Sequence, residues 1–252
     1  MESTAREPGS PRPASGTPDT ADGATTPAGD QPLGGHAPAL LATEHWSLLA
    51  ARSLIWNEAQ SRVTVFLTLL SASIVSLALL ADATGFGAET TTLALALLPV
   101  VFLLGIACYT RLVHINAEEF RLVQAMNRLR RAYLTLEPGL ERYLTAGHHD
   151  DEQGVLATYM ADRPTRRSLW VQFLINTPSI VATVDAALAT AVVVLGLRAA
   201  GAPSAVAVAG GVAAFLLVWG MLFGLQRRTL HPLRQQTPRF PTPFDGTGAA
   251  PG

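Results

Sequence analysis

The chain has 252 residues, of which 49% are hydrophobic and only 15% charged, and its formal net charge is −1. Near-neutrality excludes the strongly basic surface of a nucleic-acid-binding domain, so no nucleic acid is expected among its partners. The charges also avoid several long windows altogether, which points to lipid rather than water as the solvent of much of the chain.

All 18 basic residues are arginine. With abundant Ala, Gly and Pro, this is the residue usage of a high-GC bacterial genome. Arg for Lys keeps the positive charge, so topology signals survive. The one cysteine, Cys108, has no partner for an intramolecular disulfide and sits in an apolar run, where it reads as a small buried side chain.

In chain order, residues 1–38 hold no aromatic and almost no large aliphatic side chain. Such a segment cannot bury enough apolar surface to offset its ordering entropy, and it is predicted to be a disordered N-terminal tail. No apolar stretch follows the start, so no signal peptide is read there. Residues 39–61 (ALLATEHWSLLAARSLIWNEAQS) form a predicted amphipathic helix leading to the membrane.

Two uncharged windows follow: 19 residues between Arg62 and Asp82, and 21 between Glu89 and Arg111. Each matches the roughly 20 residues a helix needs to cross about 30 Å of hydrocarbon. The short link Asp82–Glu89 joins them into a first transmembrane hairpin over 62–111, with spans at about 63–81 and 90–110. A second hairpin occupies 178–226. Pro178 marks the start of its first span (178–197), and the second covers 203–225. Residues 227–252 read as a second disordered tail.

Seventeen of the 18 arginines fall in the N-terminal flank, the central segment 112–177 with Arg111, or the C-terminal flank; only Arg198 lies on the other side of a four-span topology. By the positive-inside rule both termini and the central segment are cytoplasmic. The expected fold class is therefore an all-α membrane protein of the bacterial cytoplasmic (inner) membrane. Four transmembrane helices form two hairpins, with extended cytoplasmic helices and disordered termini.

Past the second span the helix continues. Leu122, Met126, Leu129, Tyr133, Leu136 and Leu140 recur at spacings of three and four, and Pro138-Gly139 ends the helix before Leu140. A 3.5-residue repeat asks for another helix along its length, as in a coiled coil. Two partners are open: the chain's own residues 39–61, which a hairpin brings alongside, or a second copy in a homo-oligomer. Arg121, Arg128, Arg130 and Arg131 make the rest of the surface basic, suited to anionic headgroups of the bilayer.

Asp185 breaks the lipid rule, because a carboxylate inside a span must face protein or water. Counting about 1.5 Å per residue from Pro178 places it roughly 10 Å deep, level with Thr68, Gly105 and Gly220. Thr64, Thr68 and Ser71 share a helical face that could receive it, and Arg111 could reach inward. Two readings stand: an ion or proton site, or a hydrogen-bonded packing residue. Gly220/Gly224, Ala207/Gly211 and Ala187/Ala191 are spaced for close helix packing.

The cluster His148-His149-Asp150-Asp151-Glu152 offers the only metal candidate, from His148, His149 and Asp150, yet contiguous residues rarely converge on one ion. The competing reading makes Asp150 the N-cap, with Gln153 at N3, of a helix to about Ala161. No Walker loop, GxSxG, HExxH or paired CxxC is present, so neither catalysis nor a cofactor is expected.

Through SRVTVFLTLLSASIVSLALLA, LPVVFLLG, NRLRRAYLTLEPGLERY and GHHDDE, the chain resembles a family of uncharacterised four-span membrane proteins of high-GC bacteria. That resemblance implies the fold and no activity. Residues 39–136 are also similar in layout to the SLATT membrane effector domains, which would imply permeabilisation of a membrane. The functional expectation is a non-enzymatic membrane protein that self-associates, or scaffolds a cytoplasmic protein partner, through its cytoplasmic helices. The alternative is a pore-forming or ion-conducting effector using the Asp185 region.

Overall fold

The computed structural model describes residues 34–85, 87–159, 176–234 and 236–243. The chain divides into two units, Met1–Gly35 and His36–Gly252. The first is described only at Gly34 and Gly35, and the described helices belong to the second. The readings made of 1–33, of Arg163, Arg166 and Arg167, and of 244–252 lie outside the described residues.

The described chain is helical, with α1 at Ala37–Thr84, α2 at Ala88–Leu136, α3 at Glu152–Tyr159, α4 at Thr177–Ala199 and α5 at Ser204–Arg234. A 3-10 turn over Pro138–Tyr143 follows α2. Among the described residues α1, α2, α4 and α5 are long and apolar enough to cross a membrane. The chain is thus an all-α membrane protein with two helical hairpins.

Local chemistry sets the helix ends. Gly85, with φ 75° and ψ 179°, takes a positive-φ conformation open to glycine where α1 ends. Pro138 stops α2, as its position after Leu136 predicts. Asn176 caps α4 by accepting the Ser179 N–H at 2.9 Å, with Pro178 in the first turn. Pro99 lies inside α2 without ending it, a tolerance known for membrane helices packed by neighbours.

Three helices outrun their predicted spans. The juxtamembrane and first transmembrane segments are one continuous 48-residue helix, about 72 Å long at 1.5 Å per residue. α2 has 49 residues, and α5 continues past Leu225 to Arg234. A charge ends a hydrocarbon span, but it does not end a helix: Arg227 and Arg228 are good helix formers in water.

α2 is central. It packs along α1 on one side and α4 on another, and it touches α5, while α4 and α5 pair closely. The core includes Phe66, Leu98, Val101, Tyr109, Ala186 and Leu222. Outward-facing Val65, Leu79, Leu103, Leu216 and Leu217 are exposed apolar side chains on the spans, as lipid contact requires.

Candidate functional site

On the arginine-rich side of the spans α1 and α2 continue together as an antiparallel pair. Arg111 grips Glu58 with two bonds of 2.8 Å and holds Glu118 at 2.8 Å, while Arg62 reaches the same Glu58 at 2.9 Å. The Arg111 and Arg62 donors push the Glu58 carboxyl down to about 2. Further out, Arg52 pairs with Glu119 at 3.0 Å, and the Tyr133 hydroxyl donates to the Leu41 carbonyl at 3.1 Å. Beside Arg52, Leu49, Ser53, Trp56 and Glu119 line an open groove of about 370 Å³.

The α2 stripe therefore meets α1 of the same chain at Tyr133. Met126 is buried, Leu122, Leu129 and Tyr133 are half-buried, and Leu136 lies 36% exposed at the helix end. The side of α1 turned away from α2 stays open: Leu40, Trp46 and Leu54 are 69%, 72% and 70% exposed. The strip of Trp46, Ala50, Leu54 and Asn57 is exposed and carries no charge, while the exposed Glu44, one turn from Leu40, lies at its edge.

A second face of α2 organises the loop that follows. The buried Asn127 donates to the carbonyls of His149 (2.7 Å) and Gly154 (3.1 Å) and accepts from Arg130 and Thr158. Gln124 donates to the Asp150 carbonyl at 2.9 Å. Gly154 packs against the His149 carbonyl so closely that a Cβ would collide with it.

Asp150 is wholly buried, and its carboxylate gathers donors from two distant parts of the chain. These are Arg128 Nε at 2.7 Å and the backbone N–H groups of Arg239 (3.0 Å) and Phe240 (2.7 Å). The Asp150 N–H in turn donates to the Phe240 carbonyl. Asp151 accepts from the Thr242 N–H and hydroxyl, each at 2.9 Å, and from the Gly154 N–H at 2.8 Å. Burial alone would raise both carboxyls, but these donors outweigh it and hold both below the usual range.

Three corrections follow from this corner. Asp151, not Asp150, caps the helix that begins at Glu152, because its side chain takes the Gly154 N–H. The metal candidate loses its carboxylate, since the Asp150 oxygens are occupied by N–H donors. His148 and His149 stack with ring centroids 4.2 Å apart, yet among the described residues no three His, Cys, Asp or Glu side chains converge on one point. Finally, residues 239–242 of the predicted tail are fastened to the loop rather than free.

Inside the membrane Asp185 has 0% exposure, and neither carboxylate oxygen has a partner among the described residues. It faces Gly105 of α2, where a Cβ would overlap the carboxyl. Thr68 and Ser71 are exposed on the other side of α1, and the Thr68 hydroxyl bonds back to the Thr64 carbonyl. Depth alone aligned them with Asp185; the azimuth of α1 turns them toward lipid. Arg111 does not reach inward, being engaged by Glu58 and Glu118. An ionised carboxylate at the centre of a span costs about 2.5–3.5 kcal/mol on insertion scales.

One turn from Gly105, Tyr109 is fully buried; its hydroxyl donates to the Leu222 carbonyl at 2.7 Å and lies 3.4 Å from Gln226 Oε1. No periodicity in the sequence singled out this link between α2 and α5. Of the small-residue pairs, Ala207 and Gly211 lie in the α4–α5 seam, where Gly211 faces Val194 and Thr190 and its carbonyl accepts the Thr190 hydroxyl at 3.2 Å. A Cβ built on Gly220 or Gly224 would meet no atom within 4 Å among the described residues, and Ala187 is exposed.

No family model, curated protein or solved structure matches this chain.

Proposed function

We propose that this protein is a non-enzymatic component of the bacterial cytoplasmic membrane that self-associates through its cytoplasmic helical pair. The observation that carries this reading is the open apolar face of α1 bearing Leu40, Trp46 and Leu54, uncharged from Trp46 to Leu54 and edged by Glu44. Trp46 stands 16 residues before Arg62, about 24 Å along the helix and beyond the headgroups, so lipid does not cover it. Copies in one membrane project α1 in the same direction, which lets identical faces meet side by side. A self-complementary contact is favoured where there is no like charge to repel, and the exposed Arg121 and Arg131 of α2 offer no such face. The basic flanks orient both termini toward the cytoplasm.

Particle mass in nanodiscs tests the proposal. Wild type should form an oligomer that Trp46→Glu and Leu54→Glu reduce to monomer. A monomeric wild type at membrane-like density would sink it.

A second reading, an ion-conducting or pore-forming effector, draws on the buried and unpartnered Asp185. It requires that the purified protein in liposomes pass ions in an Asp185-dependent way.

A further inference from the structure

The helices packed around Asp185 offer its carboxyl no charged partner among the described residues. α1 carries no titratable residue between Arg62 and Asp82, and Arg62 is held by Glu58. α2 carries only Cys108 and Tyr109 between Glu89 and Arg111; the Tyr109 hydroxyl is spent on Leu222, and Arg111 on Glu58 and Glu118. α5 carries none before Gln226, which supplies an amide. On α4 itself the next charge is Arg198, which bonds Ser204 at the far end.

No cation and no hydrogen-bond donor among the described residues therefore compensates a negative charge at this position. The side chain is nonetheless wholly enclosed, and Gly105 makes the room for it. An uncharged carboxyl can sit there, whereas a carboxylate must draw in water or move away from α2.

We infer that Asp185 is a proton-binding site. Its proton holds α4 against Gly105 of α2, and loss of the proton to the arginine-rich side, about 10 Å away along α4, loosens that contact. The ligand is the proton itself. The inference rests on the same residue as the ion-conducting reading but needs no conducting path.

Infrared spectra of the full chain in nanodiscs, titrated from about pH 5 to about pH 9, test it. A protonated carboxyl C=O band absent from Asp185→Asn should persist at neutral pH and disappear on alkalinisation. Spin labels at the exposed positions Leu103 and Ala187 should separate over the same interval in the wild-type background and stay fixed in Asp185→Asn. An ionised Asp185 throughout, or a titration with no change in label distance, overturns the inference. Should Asp185→Asn fail to assemble, Gly105→Ala gives a second reading: crowding the carboxyl must move the titration, and an unmoved titration also overturns it. Liposome proton flux separates the two ideas, since titration without flux removes the conducting reading and leaves the proton site standing.

Discussion

Asp150 and Phe240, 90 residues apart, bond to each other in both directions: the Phe240 N–H donates to the Asp150 carboxylate at 2.7 Å, and the Asp150 N–H to the Phe240 carbonyl at 3.2 Å. The segment beyond α5 is thereby tied to the loop beyond α2. The first and second hairpins are coupled outside the membrane as well as within it.

Removing that carboxylate should free the segment without unfolding the spans. Hydrogen bonds to a charged group contribute about 1.5–3 kcal/mol each, and Arg128 is solvated enough to survive alone. In Asp150→Ala, exchange protection at the amides of Arg239 and Phe240 should fall by about one to two orders of magnitude. Protection in α2 and α4 should stay as in wild type. Because both Asp150 and Asp151 titrate below the usual range, the fastening is fully present above the ordinary carboxylate value. It is lost only as pH falls through the lowered values of the folded state. Exchange measured at mildly acidic and neutral pH should therefore agree, once corrected for intrinsic rates.

Glu58 sets the register of α1 on α2 by receiving both Arg62 and Arg111. Its carboxyl is lowered from 4.5 to about 2, so its contribution is complete above about pH 4.5 and disappears toward pH 2. The groups are partly solvated, so the effect should be small and sensitive to salt. Glu58→Gln should abolish the pH dependence in that window when the Tm of the detergent-solubilised protein is followed. A Tm that still falls equally in the variant would assign the acid response elsewhere.

Much of this architecture is legible in the sequence because lipid imposes a one-dimensional rule. Windows without charge, Pro178 at a helix start and Pro138 after a helix end are local signals, and the structure places each element accordingly. Depth along a span is also local, which is why Gly105 appears level with Asp185. The direction a side chain faces is not local: Thr68 lies at the right depth and the wrong azimuth. One-residue ambiguity misplaced the cap, since Asp150 and Asp151 are adjacent and chemically equal as capping residues. The fastening of residues 239–242 was invisible because it joins positions about 90 apart and rests on backbone N–H groups, which leave no mark in composition.

Tyr109 offers a test of the link between the hairpins within the membrane. Tyr109→Phe keeps the ring in the core and removes only the bond to the Leu222 carbonyl and the contact with Gln226. Hydrogen bonds between membrane helices contribute on average about 0.6 kcal/mol and at most about 1.7. The loss should fall in that range, and reversible unfolding in mixed micelles should detect it. A double variant with Gln226→Leu should cost less than the two single changes together, because they share one contact.

The glycines of α5 separate packing within the chain from packing between chains. A side chain at Gly211 would press on Val194 and Thr190, where the α4 and α5 backbones are close enough for the Thr190 hydroxyl to reach the Gly211 carbonyl. Gly211→Val should therefore force the second hairpin apart and cost about 1–3 kcal/mol, the usual range for overpacking. A Cβ at Gly220 would meet no atom within 4 Å among the described residues. Gly220→Val should leave the stability of an isolated monomer near wild type, as judged by thermal unfolding in dilute detergent. If Gly220→Val instead alters the particle mass in nanodiscs, that face of α5 touches a neighbouring copy. Interchain packing would then extend into the membrane, beyond the α1 face to which self-association is assigned.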